Sequence, residues 1–219
     1  MRKNTGLCFG LLLAALVAMP LGIGQASVEK HTVSKSNYQM SYPIVYVDHN
    51  EAAQNRINSD LYQYIAGFQN GYETGDFSKG DFSYQVHYED DKLISLTLAD
   101  YRYRQGAVHG YTYTRGLTYS KVTGEKLLLP YFVKISTADK GLILSQPIYN
   151  NQNERIPLNQ TFAQDAYMWN TLKISDNYYL AGGGNIVLLY PPYELGSYAQ
   201  GTLRVVLSPR IIDYLNRKN

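Results

Sequence analysis

At 219 residues, with 20 Lys and Arg against 18 Asp and Glu, the chain has a formal charge of only +2, which excludes the clustered basicity that nucleic-acid binding draws on. Its single cysteine, Cys8, excludes a disulfide framework within the chain. The compositional excess is tyrosine, 22 residues; a large apolar body carrying a hydroxyl suits both half-buried strands and binding surfaces.

Met1–Ala26 reads as a secretory signal peptide: Arg2 and Lys3 give a positive start, Gly6–Leu21 is apolar, and Gly24-Gln25-Ala26 ends in small residues. An uncleaved anchor is the rival, but Pro20, Gly22 and Gly24 interrupt the run short of the roughly 20 apolar residues a spanning helix needs. Cleavage would leave no stable membrane anchor, no cysteine, and a balance of 18 basic against 18 acidic residues. The expected location is exported, periplasmic or extracellular.

Residues 27–37 are polar and patternless and read as a tether. A first strand is predicted at Tyr38–Tyr46, with Pro43 arguing for an edge or a bulge. Asp48 with Glu51 looks like a capping box opening a helix, along which Ala53, Ile57, Leu61, Tyr64, Ile65 and Phe68 recur at helical spacing before Gly71 and Gly75. The period then changes to two. Tyr84, Val86 and Tyr88, then Ile94, Leu96 and Leu98 beyond the Asp90-Asp91 turn, predict a hairpin. A further strand at Tyr111–Tyr119 is expected to turn at Thr123-Gly124 into Lys126–Leu129.

Ser136 or Thr137 can cap a short helix ending before Pro147. Tyr149–Gln160, rich in Asn and Gln, reads as a loop, and Phe162–Leu172 as another short helix. Tyr178–Leu180 and Ile186–Tyr190 flank the Gly182-Gly183-Gly184 turn. A strand at Thr202–Leu207 and a helix at Arg210–Leu215 close the chain. The expected class is α+β: an antiparallel sheet with an amphipathic helix packed on it, then a second αβ half with a C-terminal β-hairpin and strand.

Four segments carry a family resemblance. They are Tyr190-Pro191-Pro192-Tyr193-Glu194-Leu195-Gly196-Ser197-Tyr198-Ala199-Gln200-Gly201, Gly106-Ala107-Val108-His109-Gly110, Lys121–Leu127, and the hairpin Tyr178–Tyr190. Together they resemble the extracellular part of lysozyme-responsive anti-sigma factors: a peptidoglycan-deacetylase-associated module followed by a domain of unknown function. The resemblance implies a division into residues 38–129 and 130–219. It also implies recognition of a lysozyme-like protein or of peptidoglycan. The sigma-binding segment, the spanning helix and the deacetylase catalytic domain of such proteins have no counterpart here, so neither regulated proteolysis nor deacetylation carries over.

No chemistry-bearing motif competes with a binding role. His31, His49, His87 and His109 lack metal-ligand spacing, so no metal or cofactor is expected. No nucleophile elbow is present, Glu89, Asp90 and Asp91 sit in a predicted turn, and no Lys-Ser/Thr follows the glycine run. The candidate binding residues are Tyr101, Arg102, Tyr103, Arg104, His109, Tyr111 and Tyr113, with Arg115 alongside, and Tyr193 and Tyr198 in the proline-stiffened connection. Period two would place Tyr101 and Tyr103 on one face and Arg102 and Arg104 on the other; aromatic and arginine side chains are the groups enriched at binding hot spots. The expectation is an exported, non-enzymatic envelope-binding module. Its rivals are a cell-wall hydrolase or deacetylase and a structural periplasmic protein without ligand.

Overall fold

The computed structural model describes residues 28–218, so the predicted signal peptide lies outside the described residues. The first layer is a five-stranded sheet ordered β1-β2-β3-β4-β5, formed by Val28–Lys35, Tyr38–Val45, Lys79–Glu89, Leu93–Tyr103 and Tyr111–Ser120. Residues 28–35 are thus a strand and not a tether. β1 pairs antiparallel with β2 along its whole length through a two-residue turn at Ser36-Asn37. Its side chains are mostly exposed, so backbone pairing places it, and such pairing leaves little trace in hydrophobic pattern.

Helix α1, Glu51–Glu73, packs on one face of this sheet through Ala53, Ile57, Leu61, Ile65 and Phe68. Asp48 and Glu51 do not cap it. The N-cap is Asn50, whose side chain accepts from the Ala53 amide at 3.1 Å, after His49 has taken a left-handed φ of 57°. α1 connects β2 to β3, which pair in parallel only over Tyr38–Met40. Among the described residues that edge of β2 has no strand partner beyond Met40, and there Pro43 costs no bond. The Asn58 side chain bridges to Val45 instead, accepting from its amide at 2.9 Å and donating to its carbonyl at 2.7 Å.

The second sheet is ordered β6-β9-β8-β7, with β6 at Ile148–Tyr149, β7 at Tyr178–Ala181, β8 at Asn185–Tyr190 and β9 at Leu203–Leu207. Leu180, Ile186, Leu188, Tyr190, Leu203, Val205 and Leu207 face a core shared with helices α2, Lys140–Leu144, and α4, Pro209–Lys218. Ser136 and Asp139 form the capping box ahead of α2. α3, Ala166–Thr171, is shorter than the predicted Phe162–Leu172 and follows a separate 3-10 turn at Phe162–Gln164. Lys126–Leu129 is no strand: it makes one bridge to Tyr119, and Pro130 then fixes a 3-10 turn at Leu129–Tyr131.

β7 joins the two halves by crossing β3, β4 and β5 on the face opposite α1. That face is made of small polar residues: buried Ser95 and Thr118 bond each other at 2.8 Å, and Ser95 accepts from the Leu180 amide at 2.8 Å. A Cβ on Gly116 would stand 1.8 Å from the Tyr178 carbonyl oxygen. The Asn177 side chain spans the edge of β5, accepting from Gly116 N and donating to Thr114 O, each at 2.8 Å.

Candidate functional site

Two connections far apart in sequence meet beside the edge of β5. One runs from β4 to β5 and carries Val108, fully exposed at 100 %, and exposed His109. Gly110 ends it, and a Cβ there would lie 2.3 Å from the Tyr101 ring; only glycine lets that ring lie across the backbone.

The other runs from β8 to β9 and is held at many points. Pro191, Pro192 and Leu195 are buried, the Leu195 carbonyl accepts from the Phe162 amide at 2.8 Å, and the Tyr193 amide donates to the Gly196 carbonyl at 2.9 Å. Ser197 and Gln200 form a capping box. Against this frame Tyr193 adopts φ 73° while remaining 53 % exposed. A bulky residue in left-handed backbone costs on the order of 1–2 kcal/mol, so the fixed loop presents this tyrosine at an energetic cost.

The meeting produces a row of three rings. His109 stacks on Tyr198 at 3.8 Å between centroids, and Tyr198 on Tyr193 at 6.0 Å. The Tyr198 hydroxyl donates to the Gly110 carbonyl at 2.7 Å. His109 Nδ1 lies 2.9 Å from the same carbonyl, and Nε2 lies 3.3 Å from the Tyr193 hydroxyl. One tautomer satisfies both contacts: Nδ1–H donates to Gly110 O, and Nε2 accepts from Tyr193.

Next to Tyr198 a cleft of about 230 Å³ is lined by Thr112, Asn151, Gln152, Gln200 and Thr202. Its hydrogen-bonding side chains come partly from the Asn- and Gln-rich loop. Sequence reasoning missed them, although amide richness was the visible signal. A second cavity, about 490 Å³, is lined by Tyr113, Asp176, Asn177 and Glu194 among others. The Glu194 carboxyl is pushed up by burial and then by the charge of Asp176. The Tyr111 phenol is likewise raised by burial, with Glu194, Tyr113 and Tyr193 adding to the shift.

The sequence-selected residues therefore divide. His109, Tyr193 and Tyr198 form the stack, Tyr101 supports it from beneath Gly110, and Tyr111 is an exposed residue at the start of β5. Arg102 belongs elsewhere. It is bidentate to Asp100 at 2.7 Å, reaches Asp76 at 3.4 Å, and lies over the Phe68 and Phe77 rings. Arg104 is also held by Asp76, Tyr103 lies near Lys79, and Tyr113 stacks with Arg115, 4.9 Å from its ring. Arg102 and Arg104 are thus committed to ion pairs within the chain, and Arg115 lies over the Tyr64 and Tyr113 rings. Among the described residues, no group of three or more His, Cys, Asp or Glu gathers to hold a metal ion.

Comparison with known proteins accords with this architecture. Residues 134–208 match the family model described as a protein of unknown function, DUF3298. The match spans the second sheet and the stiff connection. A crystal structure of a DUF3298 family protein from Pseudomonas aeruginosa PAO1 superposes with a TM-score of 0.56 at 11% identity, covering 85% of this chain and 90% of that one. A member of the same family from Bacteroides fragilis NCTC 9343 gives 0.49 at 13% identity, over 86% of this chain and 90% of its own. No curated protein matches the chain. The Pseudomonas likeness extends well beyond the DUF3298 match, so the two-sheet fold is shared across most of the chain.

Proposed function

We propose that the protein is an exported, non-enzymatic cell-envelope module that binds the glycan of peptidoglycan through the ring row His109–Tyr198–Tyr193. One observation carries this reading: the row runs up to a cleft lined by amide and hydroxyl side chains. A sugar has an apolar ring face and a polar rim, so it asks for a flat aromatic surface beside hydrogen-bonding groups. The fixed loop adds affinity because Tyr193 and Tyr198 lose little freedom on contact. Resemblance to the extracellular part of lysozyme-responsive anti-sigma factors supports the envelope setting.

The test is co-sedimentation with purified peptidoglycan, run beside capture on immobilised lysozyme. Tyr193→Ala should weaken peptidoglycan capture by about thirtyfold, the loss of one aromatic anchor worth roughly 2 kcal/mol. As a 53 % exposed residue it should leave the melting temperature within a few degrees. Unchanged sedimentation would refute the glycan reading, and loss confined to the lysozyme arm would reassign the surface to a protein partner.

A hydrolase is the second reading, favoured by Glu194 and Asp176 lining one cavity with the Glu194 carboxyl raised by burial. Two carboxyl groups in one site, one of them with a raised pKa, are what glycoside cleavage uses. Release of soluble fragments from peptidoglycan, abolished by Glu194→Gln, would establish it.

A further inference from the structure

A third cavity, about 640 Å³, shares no lining residue with the aromatic cleft and adjoins the second cavity, with which it shares Thr171 to Asp176. Leu129, Val133 and Ile135 form one wall, and Leu172 and Ile174, leading from α3 to β7, form another. Its volume falls within the roughly 300–1,000 Å³ of small-molecule sites. Among the described residues its only charged lining side chains are Lys140, Lys173 and Asp176. Lys140 donates to the Trp169 carbonyl at 2.7 Å and lies 5.6 Å from that ring's centroid. Among the described residues neither lysine is ion-paired to a carboxylate, so two lysines and one aspartate line a mostly apolar space.

We infer that this cavity takes the tail of a single-chain anionic amphiphile, a fatty carboxylate, with the head group held by Lys140 and Lys173. The apolar walls favour a hydrocarbon chain, and the unneutralised ammonium groups select the sign of the head. Neither feature would favour a neutral polar ligand, and two cations disfavour a positive head despite Asp176.

Trp169, the only tryptophan of the chain, neighbours the lining residue Asn170 and stacks with Lys140, so its emission should report occupancy. The experiment titrates the purified protein with dodecanoate below its micellar concentration, following Trp169 fluorescence and calorimetric heat together. Dodecyltrimethylammonium, with the same chain and a positive head, is the comparison. Saturable one-to-one binding of dodecanoate is expected, at least about tenfold tighter than the cationic analogue, as charge-assisted bonds to the head imply. Lys173→Glu should abolish that preference. Thr171→Phe, which adds a ring at an exposed lining position, should weaken dodecanoate by at least about tenfold without lowering the melting temperature. Absence of saturable binding, equal affinity for the two heads, or binding that survives Thr171→Phe in a folded protein would each overturn the assignment.

Discussion

Gly116→Ala tests how the two halves are held together. The added methyl would meet the Tyr178 carbonyl oxygen at 1.8 Å, where contacts under 3.0 Å essentially never occur. β5 and β7 must therefore separate by more than an ångström, because a backbone carbonyl cannot rotate away as a flexible side chain can. That displacement stretches both bonds from Asn177 to the β5 edge and the bond from the Leu180 amide to Ser95, each now 2.8 Å, beyond useful length. Three net hydrogen bonds at about 1 kcal/mol each give about 3 kcal/mol, before any opening of the buried seam is counted. For a domain of this size that corresponds to a fall in melting temperature of about 6–12 °C.

The assay is thermal and urea unfolding followed by circular dichroism, with Gly67→Ala as its partner. Gly67 lies within α1, and a Cβ there meets nothing within 4 Å, so this change should stabilise by about 0.5–1 kcal/mol. A Gly116→Ala protein melting within about 2 °C of wild type would refute the close approach of β5 and β7. Two separate transitions in the wild-type protein would show that the seam at β7 does not couple the two halves.

Three further outcomes are expected. His87 stacks on Tyr179 at 3.9 Å and bonds Thr97 at 2.9 Å. Burial, and then the charge of Arg204, lowers its pKa from 6.5 to about 4. The folded state thus keeps the imidazole neutral while the unfolded chain takes up a proton below 6.5, so this stability is full above pH 6.5 and lost as pH falls toward 4. Partial exposure of the ring reduces its worth to about 1–2 kcal/mol; Glu194, whose pKa is raised, acts in the opposite sense. The readout is therefore the loss of that slope in His87→Gln relative to wild type, followed by urea unfolding between pH 7 and 4.5. Asn58→Leu removes both side-chain bonds to buried Val45 and should cost about 2 kcal/mol in the same assay. Tyr119→Phe deletes the 2.7 Å bond from a buried phenol to Asp60, which retains Lys126; a loss of about 1.5 kcal/mol is expected.

Elements with their own hydrophobic period are legible in the sequence. Ala53, Ile57, Leu61, Ile65 and Phe68 announced α1 and do bury its face, and Ile94, Leu96 and Leu98 are buried under it. Where backbone pairing or close approach decides, the sequence offers less. β1 buries almost nothing, and the alternation of Ile94, Leu96 and Leu98 with polar residues gives no sign that Ser95, Thr97 and Thr118 are buried beneath β7. Their small polar side chains are what allow a second strand layer to approach, but a serine in a strand looks the same whether it meets water or a neighbouring amide. Arg102 was misleading for a related reason: alternation puts Asp100 on its own face of β4, but Asp76 comes from the turn after α1, a contact the strand pattern does not announce.

The aromatic site was half legible, because each contributing loop drew attention by itself while their meeting is a contact across 84 residues. That separation links the site to the seam. His109 and Gly110 belong to the first half and Tyr193 and Tyr198 to the second, and they are joined by the Tyr198 bond to Gly110 O just as Thr202 is joined to Thr114 at 3.3 Å. A shift of β7 away from β5 at Gly116 pulls on the strand that carries Thr114 and that follows directly on Gly110. If the ring row holds the ligand, the Gly116→Ala protein should lose capture at temperatures where it is still folded, since the rings are set by the registry of the two halves. If Tyr193 and its loop suffice, capture should fall only as the protein melts. Measuring both quantities on one variant separates a site built across the seam from one that a single loop carries.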